Sequence, residues 1–146
     1  MKKFIFLVLM VFLISCNNKS KNEYPKYLIG NFFEIYETKG VNDALDNIFQ
    51  TNEYMIKQSK SDIETLKESL YSLTSVIGNY HGYEMISDYS MGKSIVHYCC
   101  IVKYDTQPIR FNFTFYKSSD TWVLYNFNYD NSIVNELDEM AKYHYY

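Results

Sequence analysis

Residues that impose special geometry are scarce in this sequence. Among 146 residues there are two prolines, five glycines, one tryptophan and three cysteines. One cysteine ends an N-terminal apolar run and the other two, Cys99 and Cys100, are adjacent, so no ordinary disulfide framework is available. The longest apolar run, Phe4–Ile14, has eleven residues, whereas a membrane-spanning helix needs about 20. With 47% hydrophobic residues, the chain can build the core of one domain.

Motifs for catalysis, metals and nucleic acid are also missing. The formal charge is -3, from 14 basic and 17 acidic residues, and there is no basic block, which argues against a nucleic-acid partner. The sequence holds no glycine-rich phosphate loop and neither GxSxG nor HExxH. Its histidines, His81, His97 and His144, are not at metal-ligand spacing. We therefore predict no cofactor and no metal site, and we assign no catalytic residue.

The N-terminus carries the most specific signal. Lys2 and Lys3 precede the eleven-residue apolar run, a pattern typical of a secretory signal peptide. The run ends in Leu13-Ile14-Ser15-Cys16, which resembles the lipobox of bacterial lipoproteins. The alternative is an ordinary secretory signal that happens to end in a cysteine.

The lipobox resemblance implies cleavage after Ser15 and acylation of Cys16. Membrane lipid would then be a partner through the acylated Cys16, and the protein would be anchored in the outer or the cytoplasmic membrane of the bacterial cell envelope. Multiple acyl chains anchor a protein far more firmly than one. We expect a signal peptide over residues 1–15, a lipidated cysteine with a flexible tether over 16–25 and a single domain over 26–146.

Alternating residues from Ile95 to Tyr129 predict three antiparallel strands. A three-residue turn at 118–120 would place Phe113 opposite Tyr125, and a bulge near Trp122 would have the same effect on the faces. A four-residue turn at 105–108 would align Tyr98 with Phe115. One face of the sheet then becomes an aromatic layer, and four of its residues are candidates for lining a cavity: Tyr98, Phe113, Tyr125 and Tyr129.

The opposite face of the same strands is mixed in character. The candidate interaction face comprises Ile95, His97, Cys99, Ile101 and Tyr116. A solvated sheet face normally carries polar residues, and contiguous exposed apolar area usually marks a contact. We therefore expect a homodimer or another protein partner on this face. The alternative is that a C-terminal helix covers it through its own apolar residues, Ile133, Leu137 and Met140.

Helical periodicity precedes these strands. A first helix is predicted from Pro25 to Gly40, and a second is capped by Asn42 or Asp43. Residues 54–56 form a short strand or an irregular connector. A long helix then starts in a capping box, Ser61-Asp62-Ile63-Glu64, and ends at Gly78.

A first strand is predicted from Tyr80 to Met91. Strict alternation places Tyr83 and Tyr89 on one face of this strand, and Glu84 and Asp88 on the other. The acidic residues are therefore expected on the side away from the aromatic layer.

The element order predicts an α+β fold in which N-terminal helices pack on a curved, cone-like four-stranded antiparallel sheet, with a short C-terminal helix. A Gly-Tyr-x-x-Ile-x-Asp-Tyr strand after the long helix and a late Trp-Val-Leu-Tyr-x-Phe strand resemble the nuclear transport factor 2-like fold of the cystatin superfamily, over residues 26–131. The resemblance implies a sheet wrapped around a long helix, with a cavity inside the cone.

Some enzymes of that fold, such as ketosteroid isomerases and dehydratases, use an Asp or His with Tyr inside the cone. No acid is predicted on the aromatic face here, so a catalytic pair is not evident. The sequence therefore favours a membrane-anchored, non-enzymatic module of the cell envelope that binds a ligand or a protein. An isomerase- or dehydratase-like enzyme that uses the cone cavity is the alternative.

Overall fold

The computed structural model describes residues 23–143, which form helices, then a four-stranded antiparallel open sheet, then a short C-terminal helix. The predicted α+β class is confirmed, with the N-terminal helices packed on the sheet. The predicted signal peptide and Cys16 lie outside the described residues. The elements are α1 (Glu23–Lys39), α2 (Val41–Phe49), α3 (Glu53–Gln58), α4 (Lys60–Ile77), β1 (Tyr80–Met91), β2 (Ile95–Tyr104), β3 (Ile109–Tyr116), β4 (Val123–Asp130) and α5 (Ile133–Tyr143).

The connector predicted at residues 54–56 is helical. It belongs to α3, which is capped by Asn52 because the side-chain oxygen of that residue accepts the Met55 backbone N–H at 3.1 Å. A single residue, Ser59, separates α3 from α4, and Ser59 makes no side-chain capping bond. The predicted capping box at Ser61 is wrong because α4 has already begun at Lys60.

The start of α2 also differs from the prediction. Its N-cap residue is Gly40, with φ of 94° and no side-chain hydrogen bond, so neither Asn42 nor Asp43 caps the helix. This backbone conformation is open to glycine and unfavourable for other residues. The apolar stripe of α2 is as predicted, since Ala44, Leu45, Ile48 and Phe49 are all buried.

The strands follow one another in the order β1-β2-β3-β4, and both predicted hairpin registers are wrong by two residues. Tyr98 lies opposite Phe113, not Phe115, and Phe113 lies opposite Phe127, not Tyr125. In the β2–β3 hairpin the reason is loop length, since six residues, 103–108, join the last paired residues. In the β3–β4 hairpin the six-residue loop 117–122 shifts the pairing by one residue, and a bulge in β4 shifts it by a second. In the β2–β3 hairpin the shift is even, so every side chain keeps its predicted face.

A bulge in β4 changes the faces of that strand. The register shifts between Thr114 and Phe115, so that Leu124 pairs with Phe115 and Asn126 with Thr114. Tyr125 is the extra residue between them. Leu124 is therefore fully buried, whereas Tyr125, predicted to join the aromatic layer, is 60% exposed.

A second bulge has the same effect in β1. The register shifts between Met85 and Ser87, with Met85 opposite Cys100 and Ser87 opposite Cys99. Because adjacent residues of β2 face opposite ways, β1 exchanges its faces at this point. Asp88 consequently shares a face with Tyr98, which corrects the prediction that it lies away from the aromatic layer.

Aromatic rings fill the space between α1 and the sheet. Phe32 and Phe33 of α1 pack on the strands, with ring centroids of Phe32 and Phe113 5.2 Å apart. Phe33 stacks on Tyr83 of β1 at 3.7 Å. The large side chains with no measurable or almost no exposure include Phe32, Phe33, Phe111, Phe113, Phe115, Ile29, Leu45, Ile48, Leu70, Ile109, Leu124 and Val102. This single cluster holds the helices on one face of the sheet.

The two edges of the sheet are treated differently. At β4, the Leu124 backbone N–H donates to Thr51 Oγ1 at 3.0 Å, and Asn52 Nδ2 donates to the Leu124 carbonyl at 2.8 Å. The α2–α3 loop thus satisfies outward backbone groups of that edge. On β1, residues 86–91 are all exposed, and this edge is interrupted by bulges instead.

Candidate functional site

The sheet face turned away from α1, here called the outer face, carries an exposed aromatic patch. Across the strands Tyr89 pairs with His97, and Met91 pairs with Ile95, which pairs with Tyr116. The bulge in β4 adds Tyr125, whose ring centroid lies 6.2 Å from that of Tyr116. We call these residues the tyrosine patch: Tyr89, Met91, Ile95, His97, Tyr116 and Tyr125.

The patch exposes large apolar groups. Tyr89 is 66% exposed, Met91 63% and Tyr125 60%. Tyrosine offers a large, stiff contact area with a hydroxyl at its tip, which suits it to protein recognition. The two bulges are what assemble the patch, because without them Tyr89 and Tyr125 would point toward α1.

His97 lies within the patch on β2. Its Nδ1 is 2.9 Å from Thr114 Oγ1, whereas the predicted register placed it beside Tyr116. The hydrogen bond fixes the imidazole between the tyrosines of β1 and β3. His97 is half-buried, so its ring forms part of the surface of the outer face.

The opposite end of the outer face is charged and ordered. Arg110 donates to both carboxylate oxygens of Asp130, at 3.0 Å each, and also to Glu136 of α5. The bonds to Asp130 are the largest cause that raises the pKa of Arg110. Burial acts to raise the pKa of Asp130, but hydrogen bonds from Arg110 and from the Ser132 N–H outweigh it, and the pKa lies below its ordinary value. This network docks the start of α5 beside the sheet.

The apolar side of α5 leaves the patch uncovered. Ile133 is half-buried, but Leu137 is 59% and Met140 52% exposed. The alternative in which α5 closes over the face through these three residues is therefore not what the structure shows. The contact between Arg110 and Glu136 holds the helix at the charged end instead.

The five residues of the predicted interaction face divide into two groups. Ile95, His97 and Tyr116 belong to the tyrosine patch, whereas Cys99 and Ile101 lie toward the charged end, opposite Asn112 and Arg110. Cys99 is 7% exposed, and burial is the main cause that raises the pKa of its thiol. Cys99 is therefore a packed side chain under the outer face, and both it and Cys100 are free thiols.

The candidate cavity residues also separate. Tyr98 and Phe113 are buried, and Tyr129 is half-buried against Phe111 with ring centroids 6.4 Å apart. All three face α1, where the rings of the core occupy the interior. Tyr125 is exposed on the outer face, so it does not face the interior where the cavity was predicted.

A second polar cluster lies at the α4–β1 junction. Asp105 accepts the Asn79 backbone N–H at 2.7 Å, the Asn79 side-chain amide at 3.0 Å and His81 Nε2 at 2.5 Å. These bonds, with the backbone bond first, hold the pKa of Asp105 below its ordinary range. The cluster is exposed and joins the β2–β3 loop to the start of β1, which makes it a structural clasp. Thr106 strengthens the junction, since its N–H and hydroxyl both donate to the Ile77 carbonyl.

Within residues 23–143, no three His, Cys, Asp or Glu side chains are grouped so as to hold a metal ion. No helix in that same range is long and apolar enough to cross a membrane.

Comparison of this chain with known proteins identifies no similar protein. No protein-family model matches the chain, no curated protein matches it, and no solved structure matches it. The resemblances to the lipobox and to the nuclear transport factor 2-like fold therefore stay predictions based on the sequence.

Sequence reasoning missed Tyr89, Met91 and Tyr125 as surface residues. Strict alternation assigned Tyr89 and Tyr125 to the core, because a bulge leaves no signal in a pattern of period two. Only one register parity places all the aromatic residues of β4 inside, so the prediction adopted that parity and put Tyr125 in the core.

Proposed function

We propose that this protein is a lipid-anchored lipoprotein of the bacterial cell envelope that binds a protein partner through its outer face. The observation that carries the binding half is the tyrosine patch, where two independent bulges turn aromatic residues outward around His97. Bulges that re-aim side chains are typical of functional sites. The anchoring half rests on the sequence Leu13-Ile14-Ser15-Cys16.

The packed interior between α1 and the sheet favours recognition of a protein over binding of a small molecule inside a cone-shaped cavity. The interior between α1 and the sheet is packed with phenylalanine rings. The ring centroid of Phe113 lies 5.2 Å from that of Phe32 and 5.1 Å from that of Phe127. An isomerase- or dehydratase-like reaction needs an acid or histidine against tyrosine hydroxyls in an enclosed pocket. Asp88 shares the face of Tyr98 but is itself exposed.

The binding half can be tested by site-specific photo-crosslinking in cells. A photoreactive phenylalanine analogue at Tyr89 or Tyr125 should give covalent adducts of discrete mass. The same analogue at Tyr71 of α4, which is 57% exposed and lies on a helix packed against the core side of the sheet, is the matched control and should give none. An adduct of twice the chain's mass identifies a second copy, and any other mass identifies a different protein.

The anchoring half has a separate test. Metabolic labelling with a fatty-acid analogue should mark the chain, and Cys16→Ala should abolish both the label and cleavage after Ser15. Undiminished labelling of the Cys16→Ala chain would refute the anchor while leaving the crosslinking result intact.

A further inference from the structure

A groove of about 600 Å³ runs along the exposed edge of β1, separate from the tyrosine patch. Its walls are formed by Lys26 of α1 and by Tyr83, Met85, Ile86, Ser87 and Asp88 of β1. The volume is in the range of small-ligand sites. The groove lies where the bulge at Met85–Ser87 interrupts the edge strand, and a bulge bends its strand locally.

The groove presents two opposite charges that do not neutralise one another. Neither Lys26 nor Asp88 takes part in any of the ion pairs or side-chain hydrogen bonds found among residues 23–143. Tyr83 and Met85, both half-buried, supply an apolar floor between them. A ligand with a separated anion and cation would satisfy both side chains at once.

The charge of the surrounding domain selects among such ligands. Four of the 14 basic residues and none of the 17 acidic residues precede Glu23, so residues 23–143 carry 10 basic and 17 acidic side chains, a formal charge of -7. A field of this sign repels a net anion and leaves a zwitterion unaffected. Binding should therefore favour a neutral, dipolar headgroup over an anionic one.

The proposed acyl anchor at Cys16 would place the groove near zwitterionic phospholipid headgroups. Seven peptide units join Cys16 to Glu23, and a fully extended chain of that length reaches at most about 25 Å. Lys26 follows within the first turn of α1. If Cys16 is acylated as proposed, the groove lies within reach of the phospholipid headgroups.

We propose that the β1 groove binds an ammonium–phosphate zwitterion, the headgroup of a phosphatidylethanolamine-type lipid, with Lys26 on the phosphate and Asp88 on the ammonium. This inference rests on the proposed membrane anchor and is independent of the tyrosine patch. It gives the lipoprotein a second, non-covalent attachment that would orient the domain on the bilayer.

The test is a titration of the full-length chain in maltoside micelles, followed through the backbone amide shifts of Ser87 and Asp88. The probes are dihexanoyl phosphatidylethanolamine, dihexanoyl phosphatidylglycerol and free phosphoethanolamine. We expect saturable shifts with the ethanolamine lipid only. Lys26→Gln and Asp88→Asn should each weaken its binding about tenfold, the usual effect of removing one charged hydrogen-bond partner.

Matched controls are Lys39→Gln at the far end of α1 and Asp62→Asn in α4, both exposed, which should leave the affinity unchanged. Equal shifts with the glycerol lipid, or full affinity in both groove variants, would overturn the proposal. If free phosphoethanolamine binds as tightly as the lipid, the groove is a site for the zwitterion, but the proposal that its ligand is a membrane lipid is overturned. Crosslinking from Tyr89 tests only the outer face. The proposal of a protein partner and the proposal of a lipid site can therefore be refuted independently.

Discussion

Phe113 lies at the centre of the ring cluster that fixes the helices on the sheet. It has no exposed surface, and its ring contacts Phe32 on α1 and Phe127 on β4 with centroids 5.2 and 5.1 Å away. Its neighbour Thr114 points to the outer face and contacts His97. The two positions therefore separate core packing from surface contacts within one dipeptide.

Replacing Phe113 by alanine should lower the free energy of unfolding by about 3–5 kcal/mol, because a large cavity opens in a close-packed cluster. Thr114→Ala removes one partly exposed hydrogen bond and should cost about 1 kcal/mol. Urea melts of both variants measure the difference. Equal losses would mean that the assignment of faces in β3 is wrong.

Replacing glycine by alanine should have opposite effects on stability at Gly78 and at Gly30. Gly78 has φ of 96°, and an added Cβ would lie 2.4 Å from Asp105 Oδ2. Gly78→Ala should therefore destabilise the protein by about 1–3 kcal/mol. Gly30 is helical with nothing within 4 Å of an added Cβ, so Gly30→Ala should stabilise it by about 0.5–1 kcal/mol. Thermal melts that rank the two variants the other way would contradict this account.

At the scale of elements, the strands and the helices α1, α2 and α4 could be predicted from the sequence, but α3 and the strand pairing could not. The stripe of α4 and the limits of β1 are visible in local periodicity, since Ile63, Leu70 and Ile77 are buried as expected. Pairing depends on six-residue loops and on bulges at Tyr125 and at Met85–Ser87, which have no local periodic signal. Tyr89 and Tyr125 of the tyrosine patch were missed for that reason, whereas its residues on β2 and β3 and the aromatic layer of β3 were found.

The clasp at Asp105 should make stability depend on acid pH. Its pKa is depressed below the ordinary 3.8 by hydrogen bonds from Asn79 and His81, so its contribution is present above that value and is lost as the pH falls below it. Asp105→Asn should lower the unfolding midpoint at pH 7 and have a smaller effect near pH 3. Asp138→Asn on the exposed surface of α5 is the control. A difference that stays constant between the two pH values would show that the carboxylate charge plays no part.

On the scale of the whole molecule, the two sides of the sheet have different roles. One side is covered by α1 and carries the core, and the other presents the tyrosine patch at one end and the Arg110 network at the other. The proposed anchor would hold this surface in the cell envelope, with the acidic domain on the aqueous side. Binding to a protein partner is the central claim that follows from this arrangement.

The most direct test of protein binding combines crosslinking from Tyr89 with substitution of two other tyrosines of the tyrosine patch. With the photoreactive residue at Tyr89, we expect a discrete adduct that disappears when Tyr116 and Tyr125 are both changed to serine, while the circular dichroism spectrum is unchanged. The same pair of substitutions should not affect labelling of Cys16. An adduct of undiminished yield in the Tyr116→Ser, Tyr125→Ser chain, or no adduct from Tyr89 in the unaltered chain, would contradict the assignment of the outer face as the binding surface.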